Sequence, residues 1–167
     1  MIRLRGAFLF VTPLLSFFST CAFAWGLENA SDQMTDKKIV ALSQPSTDKH
    51  SLLFIKCWED DTVPEIAILT DIPFDPALPY STSADGKIRF DKENAIDITY
   101  SPREVGGRVV LDVDISDIDK RQKIFDELDK VAEAIKVQLG TIVVAYSAKG
   151  IKPTRDKFFE TCFVKPH

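Results

Sequence analysis

Apolar and polar residues alternate along most of this chain, and the alternation gives way once, after residue 116. The run Ser51–Trp58 (Ser-Leu-Leu-Phe-Ile-Lys-Cys-Trp) is strongly apolar and predicts a strand. Residues 63–70, with Ile66 and Ile68 on one face, predict its returning partner across the acidic turn 59–62. Residues 38–43 predict a weaker first strand, followed by a turn cluster at 44–49. Residues 71–85 hold Pro73, Pro76 and Pro79 and predict a long surface loop, because proline removes the donor a ladder needs. Lys87-Ile-Arg-Phe-Asp91 sends Ile88 and Phe90 inward and Arg89 and Asp91 outward. Residues 95–101 point Ile96, Ile98 and Tyr100 inward, and 102–107 predict a loop ending in Gly106-Gly107. Residues 108–115 alternate most cleanly, with Val109, Leu111, Val113 and Ile115 inward and Asp112 and Asp114 outward.

Beyond residue 116 the period changes. Ser116-Asp117-Ile118-Asp119 has the form of a helix N-cap with acids in the first turn. Ile124, Leu128, Val131, Ala132, Ile135 and Leu139 recur at steps of three and four and predict one helix of roughly five to six turns, ended by Gly140. The β-branched run at 141–147 predicts a central strand. Pro153 suits the first turn of a short last helix, in which Phe158, Phe159, Cys162 and Phe163 share one side. The expected fold is α+β: an antiparallel sheet of about six to seven strands with one long and one short C-terminal helix packed on it.

The N-terminus changes the setting. Arg3 and Arg5, an apolar stretch at 7–18, and Ala22-Phe23-Ala24 read as a secretory signal peptide over residues 1–24. The polar residues 25–37 then predict a flexible arm, and 38–167 a single α+β domain. Once Arg3 and Arg5 are removed, 19 basic residues face 25 acidic ones, a net charge of −6. An acidic chain without a basic run argues against nucleic acid and anionic membrane partners, and no stable membrane insertion is expected after cleavage. Export places the protein in the periplasm or outside the cell. There, Cys57 and Cys162 suggest one disulfide, the alternative being two separate buried thiols.

No catalytic, cofactor or metal constellation stands out. His50 sits at a turn edge and His167 at the end of the chain, and with the two cysteines they do not have zinc-ligand spacing. Asp112 and Asp114 imitate an acid/base pair, but solvent-facing alternation produces the same pattern. Arg89 and Asp91 read either as a surface ion pair or as a recognition spot. The reading is therefore non-enzymatic.

Read end to end, the chain resembles the VasI/TagO family of periplasmic accessory proteins of type VI secretion. The likeness is carried by Trp25 with Ser31 and Met34-Thr35-Asp36, by Leu53-Phe-Ile-Lys-Cys57, and by Ile88-Arg-Phe-Asp91. The striped segment around Leu128 and Leu139, and Gly150-Ile151 with Cys162 a dozen residues on, complete it. The stretch 96–100 lacks a tryptophan expected after the Arg-Phe-Asp segment, and the proline-rich loop is longer than expected. The resemblance implies a non-enzymatic protein that binds an envelope or secretion-system protein. It favours a Cys57–Cys162 bridge and makes Arg89, Asp91 and Trp25 candidate partner-binding residues. The alternative function is an exported inhibitor of a basic envelope hydrolase such as a lysozyme, which the net acidity permits.

Overall fold

The computed structural model of the chain describes residues 25–31, 37–58, 63–77 and 82–162. The predicted signal peptide, Met34-Thr35-Asp36, the acidic turn 59–62, part of the proline-rich loop, Phe163 and His167 lie outside the described residues.

Period-two alternation builds most of what is seen. Among the described residues nine strands form: β1 (Gly26–Ser31), β2 (Lys38–Pro45), β3 (Ser51–Trp58), β4 (Glu65–Pro73), β5 (Ala84–Phe90), β6 (Ile96–Val105), β7 (Arg108–Asp114), β8 (Ala134–Leu139) and β9 (Ile142–Ser147). Helix α1 (Ile118–Lys130) lies between β7 and β8, and α2 (Ile151–Cys162) follows β9. All pairings are antiparallel, in the spatial order β1-β2-β3-β4-β7-β6-β5-β8-β9. Register keeps one parity on one face. Leu42 lies opposite Ile55, Ile55 opposite Ile66, and Ile66 opposite Val113. Ile88 lies between Ile96 and Val137 on the other half of the sheet. These residues share one core cluster with Ile124 and Leu128 of α1 and Ile151 and Phe158 of α2.

The sheet curls until its last strand meets its second. Ser46 bridges Tyr146, and the Thr47 N–H donates to the Ala145 carbonyl at 2.8 Å. Trp25 Nε1 donates across the same seam to the Ser147 carbonyl at 2.8 Å. Tyr146, fully buried, meets Ser51 Oγ at 2.9 Å, and burial pushes its hydroxyl pKa up to about 12 despite that hydrogen bond. The Cys57–Cys162 disulfide ties α2 to β3 with a Cα–Cα distance of 5.8 Å.

The α+β class and the antiparallel sheet agree with the sequence reading, whereas strand number and helix lengths differ. Two strands are additional. Residues 26–31, expected within a flexible arm, pair with β2 along the whole of β1. The predicted long helix stops at Lys130, and 134–139 is strand β8. Val131, Ile135 and Leu139 are four apart, a step that is also even, so the same residues fit a strand's period of two. Ala132 betrays the difference, being exposed. The last helix has 12 residues against 13 in α1, so it is not a short one. Residues 102–105, expected in a loop, continue β6 to Val105. Pro102 is tolerated there because β5 pairs no further than Ala84 with Tyr100. Gly106 and Gly107, at φ 60° and 76°, turn the β6–β7 hairpin in the left-handed region that a two-residue turn requires. Residues 142–147 form the last strand of the order rather than a central one.

Candidate functional site

Asp91 directly follows β5 and turns the chain with a left-handed φ of 47°. That turn aims its carboxylate at the chain leaving α1, where it accepts the N–H groups of Ala132, Glu133 and Ala134 at 2.8–2.9 Å. Helix C-termini leave carbonyls, not amides, without partners. The three amides belong to the link into β8, and Asp91 fixes where helix becomes strand. Partial burial works against the charge, but the three amides outweigh it and hold the carboxyl below the usual carboxylate range. Asp91 is thus occupied within the fold and does not pair with Arg89.

Arg89 precedes it by two residues and points from the outer face of β5. Directly opposite on β8 is Lys136. Like charges at opposed cross-strand positions are unfavourable. Neither cation has a carboxylate partner among the described residues. Lys87, one parity step along, is neutralised by Asp97 at 2.7 Å. Ala95, Gln138 and Val143 complete a shallow cleft of about 200 Å³ around Lys87, Arg89 and Lys136. Val143 is 60% exposed. The arrangement offers two cations beside the exposed Val143 side chain on the outer face of β5, β8 and β9.

The other candidates are placed elsewhere. Trp25 is 4% exposed and belongs to the core and the seam, so it presents no surface to a partner. Asp112 pairs with Arg103 across to β6, and Asp114 accepts the Ser116 N–H at 2.9 Å. His50 is exposed, with its Nδ1 2.6 Å from Asp71 Oδ2. Among the described residues, no group of three or more His, Cys, Asp or Glu side chains gathers as a metal site would require. Cys57 and Cys162 are joined.

Lys136 and Gln138 escaped the sequence reading because 134–139 is read there as helix, which hides what stands across from Arg89, and Val143 because 141–147 is read as a central strand, whereas β9 is last in the order and Val143 exposed. The signal was present: Ala-Ile-Lys-Val-Gln-Leu alternates, and Gly140-Thr141 precedes a β-branched run, as in a hairpin. Comparison of the chain with protein families, curated proteins and solved structures finds no match.

Proposed function

We propose that the chain is an exported, non-enzymatic protein of the periplasm or cell exterior that binds a protein partner of the envelope. A type VI secretion accessory role is the setting that the resemblance to the VasI/TagO family implies. Export rests on the N-terminal signal pattern and agrees with a disulfide between the two cysteines that follow it. No helix among the described residues is long and apolar enough to cross a membrane. The observation that carries partner binding is the Arg89–Lys136 pair, two opposed cations without a carboxylate beside exposed Val143. Conserving fold stability alone would favour an opposite charge at one of the two positions. The inhibitor reading draws on overall acidity, and this cationic face gives a basic hydrolase nothing to dock on.

The test compares tagged protein and its Arg89→Glu variant, both expressed with the native N-terminus and captured from the periplasm. The expected result is a chain starting at Trp25, with a specific envelope protein retained by the parent and lost from the variant. An uncleaved chain would overturn export by this signal, and identical capture by both would overturn docking at Arg89.

A further inference from the structure

The opposed cations define more than a docking place; they define a chemistry. We infer that the outer face of β5, β8 and β9 receives an acidic segment of the partner, with one carboxylate set between Arg89 and Lys136 and a neighbouring apolar side chain on Val143. The inference rests on the partner-binding reading and names its ligand class. Opposed residues on paired strands stand about 5 Å apart at their β-carbons, so a single carboxylate can meet both side chains. A guanidinium fork suits two carboxylate oxygens, and the ammonium supplies a second charge. Asp97 already holds Lys87, so the unneutralised charge is confined to Arg89 and Lys136. The net charge of −6 left once Arg3 and Arg5 are removed opposes an acidic partner only at long range. Salt screens that repulsion beyond about 8 Å, while contact at the two cations survives.

A consequence separates this from a purely structural role. In the free protein the pair repels, so charge reversal at either position creates a favourable cross-strand pair while removing the ligand's contact. Stability and binding must therefore move in opposite directions.

The experiment uses isothermal titration with a synthetic peptide of alternating glutamate and valine, a lysine–valine peptide as control, and thermal unfolding of each variant. Arg89→Glu and Lys136→Glu are each expected to raise Tm by up to about 4 °C. Each should weaken the glutamate–valine peptide about tenfold or more, in a manner that fades with salt. The double reversal should lose the Tm gain and prefer the lysine–valine peptide. No binding by the parent, equal binding by the single variants, or Arg89-dependent binding to phosphatidylglycerol vesicles in place of the peptide would overturn the inference. If periplasmic capture still depends on Arg89 while the peptide fails, docking stands and only the acidic chemistry falls. If capture is indifferent to Arg89, both fall.

Discussion

At the scale of single residues, Asp91 does the work of a cap at a place where none is expected. Its three amide contacts are charge-assisted, and no neighbouring acceptor replaces them. Asp91→Ala should cost about 2–3 kcal/mol in urea denaturation. Asp91→Asn should cost less, since asparagine tolerates the left-handed turn and keeps one acceptor oxygen. Because the folded carboxyl titrates below its usual value of 3.8, its contribution is complete above that value. It fades as pH falls through the lower folded value, and the Asn variant should lack this acid limb. His50 works in the opposite sense. The Asp71 hydrogen bond, and then its charge, raise His50 above the usual 6.5. Its contribution is present below 6.5 and lost as pH rises through the folded value. An NMR titration should place the His50 midpoint above 6.5, and Asp71→Asn should bring it back down.

At the scale of elements, the cleft depends on how closely β5 lies against its neighbours. Gly86 lies between Ile98 of β6 and Leu139 of β8. A Cβ there would stand 2.6 Å from the Gln138 carbonyl oxygen and 3.2 Å from the Tyr100 ring. A backbone oxygen cannot step aside as a flexible side chain can, so Gly86→Ala should cost about 1–3 kcal/mol. It should also disturb the Arg89–Lys136 spacing, weakening the glutamate–valine peptide without any change of charge. The same elements show what a sequence can disclose. Strands with a wet face and a dry face, such as Lys87-Ile-Arg-Phe, announce both their type and the outward position of Arg89. The Asp117 cap, which accepts the Lys120 N–H at 2.9 Å, was equally plain. What stayed hidden depends on distant partners. Residues 26–31 are polar apart from Leu27 and Ala30 and become a strand because β2 offers a free edge. The helix-to-strand switch at 131–134 is imposed by a carboxylate some forty positions earlier in the chain. Lys136 could be placed opposite Arg89 only once β8 was known to be a strand.

At the scale of the molecule, the curled sheet closes along a seam of few contacts, and the disulfide bounds the chain around it. Cys57 and Cys162 are separated by 105 positions. Cross-linking a loop of about that length is worth up to ~4.7 kcal/mol in the chain-entropy account. The Cys57→Ala/Cys162→Ala double variant should lose about 3–5 kcal/mol of unfolding free energy in urea. The seam indole has one further use. The chain has two tryptophans, Trp25 in the seam and Trp58 half-exposed with the Lys56 ammonium 5.7 Å from its ring centroid. In a Trp58→Phe variant the fluorescence comes from the seam alone. While the disulfide is intact, its red shift should coincide with loss of far-ultraviolet circular dichroism. After reduction, α2 is no longer anchored to β3, and the indole should shift first, so that emission colour reports a sheet uncurling before it melts.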